Sequence, residues 1–284
     1  MLPEVFTLVF ASALCHALWN LAARRVSGDL VVLWLGFGVG AALIFPFAAY
    51  LWYLNPVTAF PPASFKFIAL TGIIHAIYTG LLSCAYRHGE ISVVYPVARG
   101  SGVAMTTILG VALLGEQVSG SGFVGVLLVL LATLCFGIPA LLSGRAKRGY
   151  FFALGVGSTI AVYSLVDKTA VSIVHPVLYI WAMFSLSFLL LWPLVLRLND
   201  ESILPRVRAL WRYVAVVGSG YLISYLLMLF ALTLGPVSYL VAARESSVAL
   251  GAALGIIFLK ERLTFLKLLA IAFMTAGVIC LKSG

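Results

Sequence analysis

Charge is scarce in this sequence. Asp, Glu, Lys and Arg make up 10% of its 284 residues, against about 25% in a soluble domain. With 63% hydrophobic residues, that scarcity excludes an ordinary water-soluble globule. Acidic residues are the rarer kind, 9 against 18 Lys and Arg, giving a net charge of +9. The basic residues lie in short connectors between apolar runs and form no patch, which argues against nucleic acid as a partner. Cysteine is nearly absent too. Cys15, Cys84, Cys135 and Cys280 each sit inside an apolar run without metal-ligand spacing, so neither a disulfide framework nor a metal site is expected. There is no GxxxxGK[ST] loop, which argues against direct ATP drive, and no cofactor is implied. The start, MLPEVFTLVF, has neither the basic region nor the cleavage site of a signal peptide, and residue 1 reads as the start of the first helix.

What the sequence has instead is long apolar runs. A helix needs roughly 20 apolar residues to cross the hydrocarbon core. Charged or turn-rich breaks divide the chain into ten such runs, near 4–23, 30–52, 66–86, 91–114, 119–142, 149–167, 175–196, 213–233, 236–259 and 263–282. The runs do not alternate, so the expected fold is an all-α membrane protein of ten transmembrane helices, embedded in a lipid bilayer.

The runs also repeat. Gly72, His75, Tyr78 and Thr79 have counterparts 146 residues later in Gly218, Tyr221, Ser224 and Tyr225, and Ser92 has one in Ser238. Ala98-Arg99 then aligns with Ala243-Arg244, LLGEQ at 113–117 with FLKER at 258–262, and LWN at 18–20 with VYS at 162–164. The chain reads as two five-helix units, 1–145 and 146–284. Five is odd, so the second unit enters the membrane in the opposite sense, an inverted repeat. Charge agrees independently: in each pair of equivalent connectors, one carries more Lys and Arg than the other. The odd-numbered connectors hold 13 of the 18 basic residues. That bias places both termini outside the cytoplasm in a multi-pass plasma (inner) membrane protein.

The five-plus-five repeat, the HALWN start and the paired endings LLGEQ and FLKER resemble the EamA-type branch of the drug/metabolite transporter superfamily. The resemblance implies a secondary transporter, often a metabolite exporter, with a central cavity. It also implies both termini in the cytoplasm, against the charge bias.

Polar residues inside spans usually face a cavity or a partner. Arg99 and Arg244 occupy equivalent helices and could hold a phosphonate, phosphate or carboxylate between them; Tyr95 shares a helix face with Arg99. Glu245, whose repeat mate is Gly100, either reads a substrate amine, couples protons, or compensates an arginine. Three triplets at i, i+3, i+4 are candidate cavity walls: His16/Trp19/Asn20, His75/Tyr78/Thr79 and Tyr221/Ser224/Tyr225, with Tyr163 added by its match to Trp19. Pro96, one turn before Arg99, is a candidate gating kink. Glu116 and Glu261 read as turn residues beside the helix caps Ser119 and Thr264, and Asp167-Lys168 reads as an interfacial pair.

The expected function is alternating-access transport of a small anionic or zwitterionic metabolite: an amino acid, aminophosphonate or related organic acid. Protons are a candidate coupling ion, and the protein works as a monomer or homodimer. The rival is an intramembrane enzyme acting on a lipid phosphate; for it, no Ser-His-Asp or metal-ligand cluster stands near the arginines.

Overall fold

In a computed structural model, residues 2–26, 29–88, 91–141, 147–198, 203–250 and 264–283 are described. They form α1 (Pro3–Arg25), α2 (Leu30–Leu54), α3 (Pro62–His88), α4 (Ile91–Leu114), α5 (Gly120–Leu141), α6 (Lys147–Ala170), α7 (Pro176–Leu198), α8 (Ile203–Leu234), α9 (Val237–Arg244) and α10 (Phe265–Ser283). No strand occurs among the described residues. Seven of the helices are long and apolar enough to cross a membrane; shorter apolar stretches cover Gly120–Cys135 and Leu268–Ser283. Glu261 lies outside the described residues, as do the side chains of Tyr95 and Pro96.

Helix packing carries the repeat. The first helix α1 lies against α8 and α9, and its counterpart α6 lies against α3 and α4. α2 lies against α7 and α8, and α7 against α2 and α3. The pairs α2–α7, α4–α9 and α5–α10 join equivalent helices. The principal partners of α1 and α6 therefore come from the opposite unit, and the two units interleave.

Small residues allow the close approaches, as packing without a hydrophobic drive between helices requires. At the α5–α10 seam, a Cβ on Gly125 would stand 2.9 Å from the Gly277 carbonyl oxygen, and one on Gly277 would stand 2.9 Å from that of Gly125. Larger apolar side chains point the other way: Phe10, Leu14 and Leu18 of α1 and Leu70, Ile73 and Ile77 of α3 are exposed at helical spacing. That arrangement suits lipid outside and polar or aromatic side chains within.

Two helices depart from the expected runs. α8 begins at Ile203, not near 213, and so takes in most of the basic connector. Its residues Leu204, Arg206, Ala209, Leu210 and Trp211 are adequate helix formers that need no hydrocarbon around them. Arg206 there binds Asp29, which also caps α2 by accepting the Val31 N–H at 2.8 Å. The ninth span is also broken. α9 ends at Arg244, Glu245 forms a turn, and helix resumes over 246–250. The Glu245 N–H goes to the Ala242 carbonyl at 3.0 Å, and the Val248 N–H to the Glu245 carbonyl at 2.8 Å, so the ladder tightens to i→i−3 around that residue. α4 runs as one helix through Pro96.

Candidate functional site

The break at Glu245 sets the direction of two charges. Adjacent helical side chains diverge by about 100°, and Glu245 turns to α4 while Arg244 turns to α1 and α8. Arg99 donates from Nε to Glu245 Oε2 at 3.0 Å, and its Nη2 lies 2.6 Å from Oε1, a two-point pair. Arg99 is 5% exposed and Glu245 1%. Glu245 is therefore paired with Arg99 across α4 and α9.

Arg244 is equally buried, at 5%. Its Nη2 lies 3.2 Å from His16 Nδ1 and donates to Ser224 Oγ at 3.3 Å. Its guanidinium carbon sits 5.7 Å from the centre of the Tyr225 ring. Nε has no hydrogen-bond partner, and no carboxylate lies within salt-bridge distance among the described residues. Ser224 is fixed by reciprocal bonds with Ser12: each hydroxyl donates to the other's carbonyl, at 2.6 and 2.9 Å.

The aromatic triplets converge here in symmetric fashion. Trp19 stacks on Tyr221 with centroids 5.1 Å apart, and its counterpart Tyr163 lies 4.5 Å from His75, the counterpart of Tyr221. His16 meets Trp19 edge-on at 5.0 Å, and Tyr225 meets His75 edge-on at 5.3 Å. Tyr78 lies 6.0 Å from Tyr163. Asn20 donates to the His16 carbonyl in its own helix and is partly exposed. The indole N–H of Trp19 and Nε2 of His75 are buried and find no hydrogen-bond partner among the described residues. Phe37 and Phe184 close the wall behind Tyr221 at 5.4 and 5.2 Å, and neither carried a signal that set it apart from packing.

Asp167 corrects the expectation of an interfacial pair. It is 1% exposed and accepts three hydroxyls: Thr71 at 2.8 Å and Tyr179 at 2.6 Å on Oδ1, and Tyr225 on Oδ2. Lys168 turns away, donating to the carbonyls of Leu232 and Gly235 at 2.6 and 2.8 Å, where the end of α8 leaves acceptors unpaired. Glu116 is also more than turn structure. Its carboxylate receives the N–H groups of Val237 and Ser238 and the Ser238 hydroxyl, capping α9 from the end of α4. Gly110 makes the space, since a Cβ there would stand 2.8 Å from Glu116 Oε2. Ser119 caps α5 through the Gly122 N–H, as expected.

Residues 147–282 match the model of the EamA-like transporter family. That match covers just under half of the chain. Residues 49–129 match the model of the Small Multidrug Resistance protein family, so the two halves are similar to two different families. No curated protein sequence matches it significantly. A crystal structure described only as that of a protein superposes with a TM-score of 0.77 at 18% identity, covering 98% of this chain and 97% of the other. At that identity the likeness establishes the fold. The all-helical, inverted-repeat architecture agrees with the EamA-like match over residues 147–282.

Proposed function

We propose that the protein carries a small anionic or zwitterionic metabolite across the plasma (inner) membrane by alternating access, with Arg244 as the anion's contact. The observation that carries this reading is the state of Arg244: buried, and among the described residues without a carboxylate in salt-bridge range or a partner for Nε. A buried guanidinium is costly unless paired, and its fork fits a carboxylate or phosphonate. Arg99 is held and neutralised by Glu245, which leaves the anion to Arg244. Trp19, Tyr221, Phe37 and Phe184 offer flat apolar faces beside it, favouring an organic anion over an inorganic one. The helix break at Glu245 supports movement there, since transporters place interrupted helices at their sites. The charge bias of the connectors favours both termini outside the cytoplasm.

Counterflow in proteoliposomes tests the reading. Saturable, trans-stimulated uptake of an unmodified organic anion should occur in the wild type and disappear in Arg244→Ala. Arg244→Lys should lose most of it, because an ammonium cannot give the two parallel bonds. Wild-type rates in Arg244→Ala would refute the assignment of Arg244, and chemical conversion of the anion without uptake would refute transport.

A further inference from the structure

Two buried charges in the described spans stand apart from any partner of opposite sign. One is Arg244. The other is Asp167, whose three partners are neutral hydroxyls and which has no Lys, Arg or His nitrogen within salt-bridge distance among the described residues. The two are joined through one residue. Tyr225 gives its hydroxyl to Asp167 and its ring face to Arg244. The helices packed around Asp167 contribute neutral groups and, across the Tyr225 ring, one guanidinium. α3 supplies Thr71, with His75 Nδ1 3.2 Å from its hydroxyl; α7 supplies Tyr179; α8 supplies Tyr225; α9 supplies Arg244 beyond the Tyr225 ring. On α6 itself, Tyr163 lies one turn before Asp167, and Lys168 is committed to the α8 carbonyls.

We propose that Asp167 is a proton-binding site that balances the anion carried on Arg244. The inference rests on the reading of Arg244 as the anion contact. In the empty site, Arg99 cancels Glu245, and Arg244 offsets Asp167 across Tyr225. An anion on Arg244 uses up that offset and leaves the carboxylate as net charge in a medium that penalises it. One proton from water, added to the carboxylate to give the neutral acid, restores neutrality. Oδ2 is the oxygen with room, since it accepts one hydroxyl while Oδ1 accepts two. Its new O–H can donate to the Tyr225 oxygen, which frees the Tyr225 hydroxyl to turn toward the Arg244 side. Proton and anion binding therefore favour each other, and the linkage is reciprocal.

Calorimetric titration of the purified protein with benzoate, in buffers of different ionisation enthalpy, reads the proton count directly. Benzoate is fully ionised near neutral pH and suits the aromatic wall. Uptake should approach one proton per benzoate, with affinity falling toward about tenfold per pH unit at the alkaline end. Asp167→Asn should abolish the uptake and flatten the pH dependence, and Asp167→Glu should restore both. If Asp167→Asn does not fold, the wild-type count still decides. Benzoate binding without proton uptake between roughly pH 5 and 9 overturns the proposal while leaving the anion site standing, as does full uptake in Asp167→Asn. Failure of the wild type to bind benzoate, glutarate and methylphosphonate overturns the anion site, and this proposal with it.

Discussion

Substituting Glu245 by Gln keeps the shape of the side chain and removes its charge, which isolates the Arg99 pair. The pair makes contacts at 3.0 and 2.6 Å with both groups buried. Two unit charges about 4 Å apart attract by about 4 kcal/mol at an effective dielectric near 20. Breaking a buried pair by removing one partner costs about 3–5 kcal/mol, because the other charge is stranded. Glu245→Gln should therefore destabilise by roughly 3–5 kcal/mol. Arg99→Met should also destabilise, since it strands Glu245. The double variant should return to within about 1 kcal/mol of the wild type, because replacing both members of a buried pair is often neutral. Reversible unfolding in mixed micelles, followed by circular dichroism, gives the three values and the coupling between them. Additivity within about 0.5 kcal/mol would refute the argument that the energetic role of Glu245 is to hold Arg99.

Other expectations follow from individual contacts. Glu116→Ala removes the acceptor for the first N–H groups of α9 and should cost about 1–2 kcal/mol in the same unfolding assay. Asp29→Ala should cost about 1 kcal/mol through the α2 cap, whereas Arg206→Ala, at a pair whose arginine side chain is 48% exposed, should change stability by less than about 0.5 kcal/mol. Gly277→Val forces a side chain against the Gly125 carbonyl and should cost about 1–3 kcal/mol or more, read as a lowered unfolding midpoint. A C-terminal reporter should be active outside the cytoplasm; a cytoplasmic signal would overturn the orientation drawn from the charge bias.

The helical architecture was legible because the length of an apolar run and the offset of a repeat are properties of sequence alone. The alignment of LWN with VYS and of His75 with Tyr221 has a counterpart in two equivalent ring contacts, Trp19 on Tyr221 and Tyr163 on His75. Asp167 was misread because its neighbour Lys168 and its place at a run's end mimic an interface. Its burial depends on where Thr71 and Tyr179 dock, which no local pattern records. The start of α8 was missed because hydropathy ends at Arg212 while helix propensity continues. The break at Glu245 has no proline or glycine beside it to announce it.

A further step comes from setting the symmetric and asymmetric parts side by side. The helix contacts repeat under exchange of the two units, as do the stacked rings. Such a scaffold gives an inward-open and an outward-open arrangement nearly equal packing energy, because each is the other with the units exchanged. Packing alone then supplies no direction and no coupling. The buried acidic groups Glu245 and Asp167 do not repeat: Glu245 stands opposite Gly100, and Asp167 falls opposite Ala23 on the LWN–VYS offset. Among the buried groups described, these residues, with their partners Arg99 and Tyr225, distinguish the two arrangements electrostatically. In the proposed mechanism, a bias set within the site acts through them. A substitution at the Gly125–Gly277 seam should therefore alter stability and the rate in both directions alike, whereas one at Asp167 should alter the response to a pH gradient.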